Sequence, residues 1–303
     1  MFKKILHPTD FSPVALHAFD QAVALSIQYG AELKLLHAVV IYDYDTSAID
    51  KGMQKLNEAY ELLRSELKNQ LKQTLENSDL PSDRGTLKIK RGFGAGKVII
   101  DSAREMAADL IVMGTHGHSP IRHFFLGSVA EKVMRYAPCP VMVLGKMEDA
   151  PARFDNILLP VDFSETSHCV ANLAVSMAKQ HRARLHLLHV YQDIVPSVYQ
   201  GTSFTAFTWD PSLRKRGEES LQRFMERHQE DGVETVPHLG EGHVHREIVN
   251  LSNRESIDLI VMGMSGLTGV SQYLLGSTTD RVLRRADVPV LTVRVRQERE
   301  YSA

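Results

Sequence analysis

The 303-residue sequence predicts an α/β fold with two doubly wound domains in tandem, each a five-stranded parallel sheet with helices on both faces. Strand patterns alternate with helix patterns along the chain, and one glycine-punctuated phrase occurs twice. The phrase at Asp109–Gly114 returns letter for letter at Asp258–Gly263, and a Gly-Ser pair follows each at equal spacing, as Gly127–Ser128 and Gly276–Ser277. This matched spacing indicates an internal duplication, and the length suits two domains.

The start of each copy is repeated as well. Ile5–Ser12 returns as Ile157–Ser164, in the same position relative to the glycine phrase. A polar stretch at Gly145–Arg153 separates the last strand pattern of one copy from the first strand pattern of the next. We therefore expect domains at residues 1–147 and 153–297, which are called the first and second copy below.

The elements of the first copy follow from the periodicity of its apolar residues. Short apolar or alternating runs predict five strands, at Lys4–His7, Glu32–Val40, Leu87–Lys90, Leu110–Met113 and Val141–Leu144. Apolar residues at helical spacing predict four helices, from Pro13 to about Tyr29, from about Ala48 to Leu75, from Gly96 to Ala107 and from Ser128 to Tyr136. Strands and helices thus alternate, and right-handed crossovers then make the strands parallel.

Local signals mark the beginnings of two of these helices. Ser12 followed by Pro13 is typical of an N-cap and a first helical residue. The run Gly92–Lys97 looks like a phosphate-binding loop, but Arg91 and Val98 stand where that motif requires a glycine and a hydroxyl residue. We therefore expect this run to be a helix entry.

The second copy departs from the plan of the first at one place. Between its second strand, ending near Tyr191, and its second helix, starting near Asp210, lies the apolar and aromatic segment Gln192–Trp209. We expect this segment to pack on its own domain or between the copies. A lid or an apolar ligand groove is the alternative interpretation.

Composition limits the classes of function. Charged residues make up 24% and hydrophobic residues 43%, with a formal net charge of -2, so we expect a soluble globular protein without a general attraction to nucleic acid. The sequence has neither an apolar run of bilayer length nor an N-terminal signal-peptide pattern. Cys139 and Cys169 hold non-equivalent positions in the two copies, which favours a reducing compartment and cytoplasmic residence.

The repeated glycines have the form of an anion site. In a doubly wound sheet, ligands bind beyond the carboxyl ends of the strands where the winding reverses, next to the loops that follow the first and fourth strands. Glycines let backbone amides approach a ligand, and the Gly-Ser pair opens a helix with its positive end at the same place. The first copy's loop carries His118, Arg122 and His123, whereas Met264–Leu275 has no basic residue, so we expect tighter nucleotide binding in the first copy.

Asp10 and Asp162 follow the first strand of each copy. Because Ser12 and Ser164 are better placed to cap the next helix, we expect the aspartates to have no such role. A carboxylate beside phosphates would be repelled, so each aspartate is expected at the opposite end of the cleft. There it could accept hydrogen bonds from a base amino group or a ribose hydroxyl, and a nucleotide has the matching polarity.

Other chemically capable residues have plainer interpretations. Five loop histidines are expected to be solvent-exposed rather than metal ligands, because no thiol or carboxylate stands at a recognised spacing. They are His116, His118, His123, His243 and His245. His37 and His189 either line the cleft or make structural hydrogen bonds, and Cys139 suits a small buried residue better than a nucleophile. No serine, histidine and acid arrangement stands out by its spacing, so the sequence gives no evidence for covalent catalysis.

These repeated phrases resemble the universal stress protein family, in its tandem form and with the glycine spacing of its ATP-binding branch. The resemblance implies a Rossmann-like sheet of the adenine nucleotide alpha hydrolase type, with ATP or a related adenine nucleotide as ligand and Mg²⁺ as a candidate companion. It implies binding in the first copy by Pro8, Thr9, Asp10 and Ala38 around the adenine, and by Met113, Gly114, Gly117, Gly127, Ser128 and Val129 along the ribose and phosphates. The matching positions in the second copy are Pro160, Val161, Asp162, Val190, Met262, Gly263, Gly266, Gly276, Ser277 and Thr278. The family often has a basic residue where this chain has His118 and Leu267, a departure that weakens the phosphate end of the second copy most.

The resemblance also implies a nucleotide-responsive stress or regulatory protein, with at most slow ATP hydrolysis. Family members commonly associate through their fifth strands, so Val141–Leu144 and Val290–Val293 are expected to form an internal pseudo-dimer, with a further homodimer of the chain as an additional expectation. The alternative function is an ATP-independent module that holds an apolar ligand, a metal or a partner protein.

Overall fold

The computed structural model describes residues 1–40, 49–116, 126–145, 153–191, 212–264 and 275–295, and for residues 49–59 only the helical backbone. The first copy contains β1 (Lys4–Pro8), α1 (Pro13–Tyr29), β2 (Glu32–Val40), α2 (Ile49–Glu76), β3 (Gly85–Gly92), α3 (Ala95–Glu105), β4 (Leu110–Gly114), α4 (Ser128–Tyr136) and β5 (Val141–Leu144). The second contains β6 (Asn156–Pro160), α5 (Glu165–His181), β7 (Arg184–Tyr191), α6 (Ser212–Arg227), β8 (Thr235–Glu241), α7 (Val244–Arg254), β9 (Leu259–Gly263), α8 (Ser277–Leu283) and β10 (Val290–Val293).

All ten of these strands form one sheet, in the order β3-β2-β1-β4-β5-β10-β9-β6-β7-β8. Within each copy the strands are parallel, and the winding reverses between β1 and β4 and between β6 and β9. This is the doubly wound arrangement that the alternating strand and helix patterns predict, so the predicted fold class is confirmed.

The two copies join at their fifth strands. β5 and β10 pair antiparallel, with Leu291 opposite Met142, and the Thr292 hydroxyl donates to the carbonyl oxygen of Val141 at 3.0 Å. The antiparallel pairing relates the copies by an approximate twofold axis through the centre of the sheet. The predicted internal pseudo-dimer is therefore confirmed.

The central strands are buried on both faces, because helices cover each side of the sheet, whereas the edge strands β3 and β8 are mostly half-buried. On one side, Ile5 and Leu35 of the strands pack with Phe19 of α1, and this apolar layer continues into the second copy. On the other side, Leu6 and Ile111 pack with α3 and α4, and that layer also continues across the β5–β10 pairing. The two copies thus share their apolar layers instead of meeting as separate cores.

The predicted boundaries differ from the observed ones by a few residues at most. The largest difference is at β3, which spans eight residues, Gly85–Gly92, because it pairs along the length of β2 and not only through Leu87–Lys90. Gly94 precedes the first residue of α3, so the prediction of a helix entry at Gly92–Lys97 is confirmed. The aromatic segment Gln192–Trp209 lies outside the described residues.

The first helix of each copy begins and ends in the same way. Ser12 Oγ accepts from the amide of Ala15 at 3.3 Å, and Ser164 Oγ accepts from the amide of Ser167 at 3.2 Å, which satisfies one otherwise unpaired amide per helix. At the carboxyl ends, Gly30 (φ 64°) and Arg182 (φ 55°) both adopt the left-handed conformation. Among the described helices, none has the length and apolar character needed to cross a membrane.

Candidate functional site

The candidate site lies where the winding of the first copy reverses. β1 and β4 pair only through Ile5–Leu110 and Leu6–Ile111, near their amino ends, and the loops that follow Pro8 and Gly114 leave the same carboxyl edge of the sheet. A Cβ atom on Gly114 would lie 2.9 Å from Val14 Cγ1 in the first turn of α1. The two loops therefore lie side by side, as the sequence predicts, and a residue larger than glycine would push them apart.

Gly127 closes the loop that follows β4. Its amide donates to the carbonyl oxygen of Thr115 at 2.7 Å, and a Cβ atom at this position would lie 2.8 Å from that oxygen and 3.3 Å from the Cα of His116. In the second copy, the amide of Gly276 donates to the carbonyl oxygen of Met264 at 2.8 Å. Each Gly-Ser pair is thus fixed against the end of the fourth strand, and at Gly127 glycine is required because the two backbones approach too closely for a side chain.

The amides next to Gly127 point out of the start of α4. The first intrahelical bond runs from the amide of Glu131 to the carbonyl oxygen of Gly127 at 2.9 Å, so the amides of Ser128 and Val129 precede the hydrogen-bonded ladder. Both of these residues are exposed. The positive end of α4 and two outward amides therefore face the space beside the β4 loop, an arrangement suited to an anion.

The second copy repeats this helix start with one additional contact. The amide of Asp280 donates to the carbonyl oxygen of Gly276 at 2.9 Å, and Ser277 and Thr278 occupy the first two helical positions. Thr279 is buried, and its hydroxyl donates to the carbonyl oxygen of Gly263 at 3.0 Å. That bond ties α8 directly to the end of β9.

The aspartates after the first strands are part of the local turn. Asp10 Oδ1 accepts from the amide of Ser12 at 3.0 Å, and Asp162 Oδ1 accepts from the amide of Ser164 at 3.1 Å. Ser12 and Ser164 are the N-caps of α1 and α5, so the prediction that the aspartates do not cap these helices is confirmed, and each carboxylate instead bonds to the amide two residues ahead. Asp10 is exposed at the carboxyl edge of the sheet.

A phenylalanine and a histidine support each aspartate loop. Phe11 has φ 62° and Phe163 has φ 61°, a left-handed conformation that is costly for an aromatic residue. Phe11 stacks on His37 with 5.2 Å between ring centroids, and His37 Nδ1 lies 2.8 Å from the carbonyl oxygen of Thr9. In the second copy Phe163 packs on His189 at 4.4 Å in the same manner.

His37 and His189 therefore make the structural hydrogen bonds that were one of their two predicted roles. His189 Nδ1 lies 3.0 Å from the carbonyl oxygen of Val161, so in both copies Nδ1–H donates to the loop after the first strand. Sequence reasoning missed Phe11 and Phe163. Their signal was available, because Asp-Phe-Ser recurs at the same place in both copies.

Most of the remaining predicted site residues lie at or near the carboxyl ends of the strands. Pro8 and Thr9 are buried at the end of β1, Met113 is buried at the end of β4, and Ala38 lies half-buried near the end of β2. The corresponding positions of the second copy are Pro160, Val161, Met262 and Val190. Gly117, Gly266 and the basic residues His118, Arg122 and His123 lie outside the described residues.

The expected exposure of the loop histidines was partly wrong. His243 is the N-cap of α7, whereas His245 lies inside this helix and is buried, with its pKa lowered first by burial and then by the nearby charges of Arg281 and Arg285. Within the described part of the chain, no group of three or more His, Cys, Asp or Glu side chains could hold a metal ion. Burial raises the pKa of the Cys139 thiol to about 12, which disfavours the reactive thiolate.

Comparisons with known proteins match both copies. The model of the universal stress protein family matches residues 1–145 and again residues 153–294. Two universal stress proteins of Methanocaldococcus jannaschii are each 33% identical to this chain, one over 46% of this chain and 82% of its own length, the other over 48% and 95%. A universal stress protein structure from Archaeoglobus fulgidus covers 98% of this chain and 97% of its own, with a TM-score of 0.67 and 22% identity. The sequence relatives thus correspond to one copy each, and the structural neighbour shares the fold of the whole chain.

Proposed function

The chain belongs to the universal stress protein family as a tandem of two such domains, and on that premise we propose that it binds ATP or a related adenine nucleotide. The proposed clefts lie at the carboxyl ends of β1 and β4 in the first copy and of β6 and β9 in the second. Binding would make the protein a nucleotide-responsive stress or regulatory protein. We propose domain limits of 1–147 and 153–297.

The observation that carries this proposal is the closure of the β4 loop by Gly127. The bond from its amide to Thr115 fixes the start of α4, with the outward amides of Ser128 and Val129, beside the loop that contains Asp10. One cleft thereby has a positive end for phosphates and an acidic end for the base or ribose, which is the polarity of a nucleotide.

In the proposed complex, the adenine lies against Pro8, Thr9, Asp10 and Ala38. The ribose and phosphates extend along the end of β4 to the start of α4. The proposed ribose and phosphate contacts are Met113, Gly114, Gly117, Gly127, Ser128 and Val129. The second cleft would use Pro160, Val161, Asp162, Val190, Met262, Gly263, Gly266, Gly276, Ser277 and Thr278 in the same way.

The proposed role is binding, with hydrolysis slow at most. Phosphoryl transfer requires a group that orients the attacking water and a carboxylate that holds Mg²⁺ near the phosphates. Asp10 belongs to the acidic end of the proposed cleft, opposite the phosphates. Mg²⁺ would therefore accompany ATP through its phosphate oxygens, and residence in the cytoplasm would supply both.

Native mass spectrometry of the purified protein and calorimetric titration with ATP test this proposal. Asp10→Asn is the decisive variant, because the asparagine oxygen can still accept from the amide of Ser12 and preserve the turn. We expect adenine nucleotide to co-purify, and Asp10→Asn to weaken ATP binding by about tenfold or more, the usual effect of losing a hydrogen bond to a charged acceptor.

Two analogues identify the group that Asp10 recognises. Inosine triphosphate lacks the 6-amino group of the base, and 2′-deoxy-ATP lacks one ribose hydroxyl. The analogue that lacks the recognised group should bind wild type weakly and should lose no further affinity in Asp10→Asn. Failure of all three nucleotides to bind would contradict the proposal, and co-purified lipid or zinc would favour the ATP-independent alternative.

A further inference from the structure

The two aspartate loops differ in how their carboxylates are held. In the second copy, Asp162 Oδ1 accepts from the amide of Ser164 at 3.1 Å, from the hydroxyl of Ser164 at 2.5 Å and from the hydroxyl of Ser167 at 2.6 Å. One carboxylate oxygen thus receives three donors, all of them from the start of α5. The negative charge of Asp162 is therefore stabilised by groups at the amino end of α5, the helix that follows it.

Ser167 closes this network from both sides. Its hydroxyl accepts from the amide of Asp162 at 3.1 Å while donating to the carboxylate of the same residue, and its amide donates to Ser164 Oγ at 3.2 Å. Ser167 is buried. Its hydroxyl therefore fixes both the backbone and the side chain of Asp162.

The first copy cannot make the same network. Position 15, which corresponds to Ser167, is a buried alanine with no hydroxyl group. The additional hydroxyl of the first copy is instead at Thr9, whose Oγ1 accepts from the amide of Phe11 at 3.0 Å, and the matching residue of the second copy is Val161. Asp10 is exposed, whereas Asp162 is half-buried.

We infer that Ser167 is a specificity-determining residue that withholds Asp162 from a nucleotide and makes the first copy the stronger binding site. This inference rests on the proposed function, in which the aspartate is the acidic end of each cleft. Three donors on Oδ1 hold the carboxylate against the start of α5 and stabilise its charge there, which makes Asp162 a weaker acceptor for a base or a ribose. Because residue 15 is alanine, Asp10 receives no hydrogen bond of the kind that the Ser167 hydroxyl donates to Asp162.

The test exchanges the two residues and measures ATP binding in the presence of Mg²⁺ by titration calorimetry on the full chain. Wild type is expected to bind one strong equivalent, which Asp10→Asn weakens by about tenfold or more. Ala15→Ser should weaken that equivalent by about tenfold or more, and Ser167→Ala should strengthen a second equivalent by a similar factor, as expected for gain or loss of one hydrogen bond to a charged group. Combining Asp10→Asn with Ser167→Ala should leave one equivalent, now in the second copy.

Ser176→Ala is the matched control, because Ser176 lies on the same helix and its hydroxyl donates to the carbonyl oxygen of Asn172 at 2.8 Å, away from Asp162. It should bind ATP as wild type does, and circular dichroism checks that every variant is folded. Two equal equivalents in wild type, an unchanged affinity in Ala15→Ser or no gain in Ser167→Ala would each overturn the inference while the proposed function stands. Absence of ATP binding in wild type and in all variants would overturn both.

Discussion

Tyr29 and His181 are the last residues of α1 and α5, the equivalent first helices of the two copies, and they contact each other. The Tyr29 hydroxyl lies 2.6 Å from His181 Nε2. Phe2 packs on the Tyr29 ring, and its counterpart Phe154 packs on the His181 ring. Two positions related by the duplication thus meet across the joint between the copies, with a different residue type on each side.

The hydrogen bonds of His181 fix its uncharged form. The amide of Phe154 donates to Nδ1 at 3.3 Å, so Nε2 carries the ring proton and donates to the Tyr29 hydroxyl oxygen. A second proton on Nδ1 would face that amide. Burial, with a smaller contribution from Arg153 and against the opposing charge of Asp155, lowers the pKa of His181 to about 4.

We predict that His181 makes stability fall as the pH decreases from about 6.5 to about 4. The unfolded chain binds the proton at the ordinary histidine pKa of 6.5 and the folded chain only near 4, so the stabilisation is complete above pH 6.5 and is lost through that window. The contribution is on the order of 2 to 3 kcal/mol. Urea unfolding at several pH values measures the free energy of unfolding. Its dependence on pH should be smaller for His181→Gln than for wild type.

A second buried histidine, His7, also makes the free energy of unfolding depend on pH. His7 is fully buried, and burial lowers its pKa to about 4 although its bond to the carbonyl oxygen of Val112 opposes the shift. It contributes a pH dependence of the same sign over the same window, so His181→Gln should reduce the pH dependence without abolishing it. If the free energy of unfolding of His181→Gln depended on pH as strongly as that of wild type, the assignment of this pH dependence to His181 would be contradicted.

Much of the fold could be predicted because it depends on short-range patterns. Alternating strand and helix signals give the parallel order, and the repeated phrases mark the loops that leave the sheet at its reversal points. The role of Asp162 could not be predicted, because it depends on the left-handed backbone at Phe163 and on a serine five residues further along the chain. The Tyr29–His181 contact could not be predicted from the sequence either, because it depends on the position of α1 relative to α5.

We predict that Gly127→Ala disrupts the site and Gly94→Ala does not. Gly127 has an ordinary φ of −64°, so alanine is allowed by its backbone, but the new Cβ would lie 2.8 Å from Thr115 oxygen. The helix start must then move, at a cost of about 1 to 3 kcal/mol and with loss of ATP affinity. Gly94 also precedes a helix, and a Cβ there would meet nothing within 4 Å. Calorimetric titration and thermal unfolding distinguish the pair, and equal losses of affinity would contradict the argument.

We predict that Gly127→Asp loses more nucleotide affinity than Gly276→Asp. A carboxylate at either helix start opposes the phosphates, but the second copy is expected to contribute little binding, because its loop has no basic residue and Ser167 holds Asp162. Titration of both variants with ATP measures the difference. Equal losses would show that the two clefts contribute alike.

The shared apolar layers predict that the two copies unfold together. Leu291 of β10 is fully buried, lies opposite Met142 of β5 and belongs to the layer that extends into both copies. Leu291→Ala should destabilise the protein by about 2 to 5 kcal/mol, because it removes buried methyl groups and leaves a cavity at the joint.

Differential scanning calorimetry should record that loss as one transition displaced to lower temperature, since the cavity weakens both copies at once. Leu16→Ala is the control, because Leu16 is 40% exposed on α1 and its truncation opens no cavity. If the copies were independent, Leu291→Ala would split the heat-absorption peak into a displaced and an unmoved component. One undivided peak is expected, because the β5–β10 pairing and both apolar layers must break before either copy can lose its sheet.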